Sequence, residues 1–204
     1  MYKRQLPTTV HNKKQNVIKK RWLKDINEEL ENLFYSKVKN EIGHFKMDNL
    51  KDEKNEDILG LFQESYNPIG LHVDAGFNSE EIIYKQTLIP LTSKGGTVIF
   101  KNKFYGNSTN FTINEEELKK KDLKYGQNIR SAEHLDMYEN KPFSKSDYEK
   151  YLKHEKYENL SGLEIDIVYE WELGSILIFD RTRLHCASSL IDGKKIGLTT
   201  FTKK

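Results

Sequence analysis

His72 and Asp74 stand two residues apart in Gly70-Leu71-His72-Val73-Asp74, and His185 follows a late strand-like run. On an extended chain alternate side chains share a face, so His72 and Asp74 can grip one ion together. His185 would complete a set of two imidazoles and one carboxylate on a single side of a metal. The other side then stays open to substrates and oxygen. Neutral imidazoles and one carboxylate hold a divalent ion while only partly cancelling its charge. A fourth protein ligand would close the open positions.

A His-x-Asp pair alone is common. The chain carries another, His134-Leu135-Asp136, in a polar stretch with no strand pattern, which reads as a solvated loop or helix pair. The first pair lies between two apolar β-like runs, where a barrel can aim both side chains inward. The plainer reading of His72 is a hydrogen-bonded core histidine. Three further features weigh against it. His185 follows the turn at Gly174 and the apolar run Ile176-Leu177-Ile178-Phe179. Lys195 comes ten residues after His185, behind the turn at Asp192-Gly193. Gly95-Gly96 enters a strand between the two ligand clusters.

The elements that must position these groups are mostly short strands. Runs at 58–66, 71–73, 82–91, 97–100, 163–171, 175–179, Arg183–Ala187 and 195–201 are apolar or alternating and separated by Gly, Pro and Asn turns. They predict a mainly β fold with flanking helices, of the jelly-roll kind. Val17, Trp22, Ile26, Leu30 and Leu33/Phe34 fall on one face of a helix across 17–34. Positions 47–56 read as a loop. The whole chain reads as one domain: 1–57 as N-terminal helical support, 58–100 and 162–204 as the jelly-roll core, and 101–161 as an insertion that could act as a lid. The insertion carries helix-start signatures at Asn114/Glu117 and Ser146/Glu149. Its tyrosines could grip a substrate or pack the insertion onto the barrel.

The chain has 204 residues, 36% hydrophobic and 31% charged, with a formal charge of +2. That is enough for one sizeable core. The near-balanced charge argues against nucleic acid as a partner. No apolar run approaches membrane-spanning length, and the N-terminal stretch lacks the apolar core of a secretory signal. Cys186 is the only cysteine, which excludes an internal disulfide and fits a reducing cytoplasm. On a strand it would point away from His185 and serve as a small buried apolar residue. Arg181 and Arg183 could meet an anionic substrate at a barrel mouth or form surface salt bridges.

Taken together, these motifs resemble the 2-oxoglutarate and Fe(II)-dependent oxygenases, with spacing most similar to the prolyl-4-hydroxylase-like branch. The resemblance covers roughly 58–201 and implies a double-stranded β-helix. It implies that His72, Asp74 and His185 are the catalytic iron ligands. It further implies that Lys195 pairs with the distal carboxylate of 2-oxoglutarate, and that Thr199 and Tyr66 line the cosubstrate site. The cosubstrates would be 2-oxoglutarate and O₂, with ascorbate as an accessory reductant, and the product a hydroxylated small molecule or peptidyl side chain. Asp74 argues against a halogenase, which needs a small residue there. Two departures stand out: Gly197 replaces the hydroxyl-bearing residue many relatives carry two positions after the basic one, and Lys194 competes with Lys195. The alternatives are a non-catalytic jelly-roll binding module and a metal-dependent cupin enzyme that does not use 2-oxoglutarate. Oligomeric state cannot be read from the chain.

Overall fold

Period-two runs become antiparallel strands. The computed structural model describes residues 8–11, 17–21, 28–48, 50–51, 57–58, 60–74, 83–103, 141–190, 193 and 195–204. In chain order the elements are β1 (Thr8–His11), β2 (Val17–Arg21), α1 (Glu28–Ile42), β3 (Lys46–Met47), β4 (Leu50–Lys51), β5 (Asp57–Ile58), β6 (Gly60–Ser65), β7 (Ile83–Pro90), β8 (Gly96–Lys103), β9 (Ile165–Glu170), β10 (Leu177–Asp180), β11 (Arg183–Ala187) and β12 (Lys195–Lys203). The large sheet runs β1-β2-β6-β12-β7-β10, with β3 pairing the far end of β12. A smaller sheet runs β11-β8-β9, and β4 and β5 pair with each other.

The two sheets meet through Leu88, Leu177 and Phe179 of the large sheet and Ile99 of the small one, joined by Trp171. Directly paired residues share a face, so the register of β12 with β6 and β7 places Lys195, Gly197, Thr199 and Phe201 on the same side as Ser65, Gln63, Pro90, Leu88 and Gln86. That side looks into the space between the sheets. The small sheet is covered on both faces, and Thr97, Val98, Ile99 and Phe100 are all buried. Val98 and Phe100 turn away from Ile99 and pack with Leu184, Cys186, Phe143, Leu152, Leu160 and Leu163. The last part of the predicted insertion is therefore a cover whose apolar residues complete this outer core.

Three local expectations need correction. Among the described residues, the helix predicted across 17–34 is a strand over Val17–Arg21 and a helix over Glu28–Ile42, so the N-terminal part is not purely helical support. Val17 and Ile18 are β-branched, and the free edge of β6 offers β2 five ladder positions, Val17↔Ser65 to Arg21↔Leu61. The helix carries Glu28, Glu29 and Glu31 in its first turn, favourable to its dipole. It buries Phe34 and Val38 while Leu30 and Leu33 stay exposed. It ends at Gly43, whose φ of 75° suits the left-handed cap and whose N–H reaches the Lys39 carbonyl at 2.9 Å. The loop read at 47–56 includes Leu50–Lys51, which pairs with Asp57–Ile58. The helix start placed at Ser146 lies at Ser144, whose hydroxyl accepts from the Asp147 N–H. The readings at Asn114, His134, Asp192 and Lys194 fall outside the described residues.

Candidate metal centre

His72 and His185 are the two members of one antiparallel bridge. His72 N–H donates to the His185 carbonyl at 2.9 Å and His185 N–H to the His72 carbonyl at 3.0 Å. The expected strand at 71–73 reduces to this bridge, which is enough to bring the rings to 4.2 Å between centroids. Each imidazole is fixed by its own backbone. Nδ1 of His72 lies 2.7 Å from the Gly70 carbonyl, and Nδ1 of His185 lies 3.0 Å from the Arg183 carbonyl. A carbonyl can only accept, so both Nδ1 atoms carry protons, and each Nε2 presents a lone pair when its ring is neutral and an N–H when its ring is protonated.

Those nitrogens converge on one carboxylate. Oδ2 of Asp74 lies 3.2 Å from His185 Nε2 and 3.8 Å from His72 Nε2. Ligand atoms of all three residues lie within 4.8 Å of one another. Two atoms each about 2.1 Å from one ion, at right angles, are about 3 Å apart. The donor set therefore fits a divalent cation with small side-chain adjustments. A bare lone pair facing a carboxylate oxygen at 3.2 Å is repulsive without a proton or cation between them. Burial pushes the Asp74 carboxyl up, but the His72 charge and the hydrogen bonds from His185 and Gln86 outweigh it, holding the group well below the usual carboxylate range.

Residues outside the ligand motif support the cluster. Gln86 of β7 places Nε2 at 3.4 Å from His185 Nε2 and bonds Asp74, while its buried Oε1 has no partner. Phe179 packs edge-on against the His185 ring at 4.9 Å. Arg181, considered above for a barrel mouth or surface pair, is fully buried. Its Nε donates to the Asp74 carbonyl at 2.7 Å, and its terminal nitrogen binds Asp48 at 2.6 Å and the Thr202 carbonyl at 3.0 Å. It pins the backbone that carries the carboxylate ligand. Arg183 is the surface-type arginine, paired with Asp166.

Lys195 is buried on the inner face of β12, with Nζ 3.0 Å from the Gly96 carbonyl and 4.1 Å from the centroid of the Trp171 ring. Burial lowers its pKa to about 8. Among the described residues no carboxylate pairs with it. Gly197 has a packing reason: a Cβ there would meet Trp171 at 2.7 Å. The indole that occupies this space also supports the Lys195 ammonium and donates to Thr97 Oγ1 at 3.0 Å. Thr199 is half-buried on the same face as Lys195, opposite Leu88. Tyr66 is not brought to the cluster. It is 44% exposed, and its hydroxyl donates to Glu64, two residues back.

Gln86 carries a weak sequence signal, an amide inside an otherwise apolar alternating strand. Arg181 carries none, because its partners come from distant parts of the chain. No family model and no curated protein matches this sequence. Among solved structures the chain aligns with an oxidoreductase of the 2OG-Fe(II) oxygenase family from Burkholderia pseudomallei. The identity is 10% and the TM-score 0.45, covering 98% of this chain and 72% of that one. Among the described residues no helix is long and apolar enough to cross a membrane.

Proposed function

We propose that the protein is an Fe(II)- and 2-oxoglutarate-dependent dioxygenase on a double-stranded β-helix, with His72, Asp74 and His185 holding the iron. The observation that carries this reading is the convergence of two carbonyl-locked imidazoles on one carboxylate, with the His72 and Asp74 side chains 18% and 22% exposed. Three protein donors with access from one side suit an ion that must also take up small molecules. The chemistry Fe(II) would supply there is oxidation of a substrate C–H bond by O₂, coupled to conversion of 2-oxoglutarate to succinate and CO₂.

The chain's own residues have separable tasks. The Gly70 and Arg183 carbonyls fix the tautomer and plane of each imidazole, the usual role of groups behind a metal ligand. Arg181 holds the Asp74 main chain. Gln86 donates to Asp74 and offers its free Oε1 to a water or substrate proton. Lys195 supplies a desolvated positive charge for the distal carboxylate of 2-oxoglutarate, and Thr199 lines the same face. Lysine acts here as a point charge rather than a bidentate fork. The substrate is a small molecule or a peptidyl side chain.

Anaerobic addition of Fe(II) and 2-oxoglutarate should give a weak visible charge-transfer band, and air should then release succinate. A band of equal strength in His72→Ala removes the metal assignment. One observation favours a second reading, a cupin-like metal enzyme without 2-oxoglutarate: the Lys195 ammonium already has the Gly96 carbonyl and the Trp171 face as partners. Turnover indifferent to Lys195→Ala would select that reading.

A further inference from the structure

His185 and Cys186 are neighbours on β11 and project to opposite sides of the small sheet. On the outer side, beneath the cover formed by 141–163, the His154 imidazole, the Glu155 carboxylate and the Cys186 thiol have ligand atoms all within 4.8 Å of one another. We propose that these three side chains form a second site, for a divalent ion of the zinc class. The proposal stands apart from the oxygenase reading, because it uses none of the same residues.

The donor set is one nitrogen, one oxygen and one sulfur, and a thiolate selects zinc and softer ions over magnesium or calcium. An independent observation points to a missing ligand. Both ring nitrogens of His154 are buried and lack a hydrogen-bond partner. The Ile69 carbonyl, which accepts the Ala187 N–H at 2.9 Å and keeps a second lone pair, faces that ring without reaching hydrogen-bond geometry with either nitrogen. His154 Nε2 lies 3.8 Å from Glu155 Oε1. Burial, reinforced by the Lys195 charge, holds His154 down to about 4, so the ring is neutral near pH 7 and its lone pair is available. Buried polar groups are normally satisfied, and an ion would satisfy this one.

Charge and size are compatible. A thiolate and a carboxylate cancel a 2+ ion, leaving a neutral unit inside the cluster of Leu71, Val98, Phe143, Leu152 and Leu184. Lys195 opposes a cation here, but its ammonium is directed to Gly96 and Trp171. Ligand atoms around tetrahedral zinc are about 3.5 Å apart, so side-chain rotations of roughly an ångström close the cluster. The ion would act as a clamp. Glu155 Oε1 accepts the Leu71 N–H at 2.5 Å, next to His72, and Cys186 follows His185.

The test uses the full chain, stripped of metal by chelator under reducing conditions and titrated anaerobically with Co(II). Cys186 is the sole cysteine, so a near-ultraviolet thiolate-to-cobalt charge-transfer band reports this site. The His72, Asp74 and His185 set contains no sulfur and cannot produce it. The expected result is a band in the wild type that persists in His72→Ala, is displaced by Zn(II) and is absent in Cys186→Ser. In His154→Gln it should require more than about tenfold higher Co(II). No band in the wild type, or an undiminished band in Cys186→Ser, overturns the proposal. If Cys186→Ser does not fold, His154→Gln decides, and an unchanged cobalt affinity there overturns it. A chain with this band but no Fe(II)–2-oxoglutarate spectrum would sink the oxygenase reading and leave the second site standing.

Discussion

The two faces of β11 each gather an imidazole and a carboxylate, under different conditions. On the inner face His185 joins His72 and Asp74, whose side chains remain 18% and 22% exposed. On the outer face Cys186 joins His154 and Glu155, whose side chains are 14% and 5% exposed, against an apolar cluster beneath the cover. Burial dominates the outer carboxyl and raises Glu155 to about 7, while the partners of Asp74 overcome burial and hold it low. Access and charge compensation distinguish the two clusters, alongside the thiol that only the outer one contains.

The sharpest way to break this contrast is Asp74→Ala. Iron content and 2-oxoglutarate-dependent succinate release should fall by at least about a hundredfold, and retained iron would refute the inner assignment. Next in size is Arg181→Met. It leaves the Asp48 carboxylate and the Asp74 and Thr202 carbonyls without their buried partner, and should cost about 3–5 kcal/mol in urea unfolding. Arg183→Met, at a part-exposed pair, should cost under about 1 kcal/mol. Equal costs would mean that burial does not distinguish the two arginines.

Lys195→Met should raise the 2-oxoglutarate requirement sharply while leaving iron bound. It also carries a pH signature. The folded pKa is depressed from 10.5 to about 8, so between those values the unfolded chain holds a proton that the folded chain has lost. Wild-type stability should therefore rise with pH through that window, by roughly 3 kcal/mol. Lys195→Met should lack this rise, and parallel pH profiles in urea would show that the lysine is not desolvated. The smallest effect belongs to Tyr66→Phe, which should leave the urea unfolding midpoint indistinguishable from wild type and the cosubstrate requirement unaltered. A marked loss of 2-oxoglutarate use would return Tyr66 to the site.

That His72, Asp74 and His185 would meet was legible, because ligand spacing and strand alternation are both local patterns and they agreed. The strands from 83 onward were legible for the same reason. Arg181 was not: Asp180-Arg181-Thr182-Arg183 reads as two equivalent surface charges, and only the tertiary fold sends one toward Asp48 and Thr202. Residues 17–21 misled because their sparse apolar positions extend a real helical pattern backward, while the free edge of β6 is invisible in one dimension. His154 and Glu155 lie in the polar stretch that reads as an insertion. Their apolar neighbours Phe143, Leu152 and Leu160 are too widely spaced to announce a cover.

The register of β12 has a consequence for how the molecule is made. This late strand lies between β6 and β7 and joins them through hydrogen bonds on both sides. A nascent chain on the ribosome therefore cannot seal the large sheet until Lys195–Lys203 has emerged. Fragments truncated before that segment should be captured by chaperones or proteases rather than accumulate.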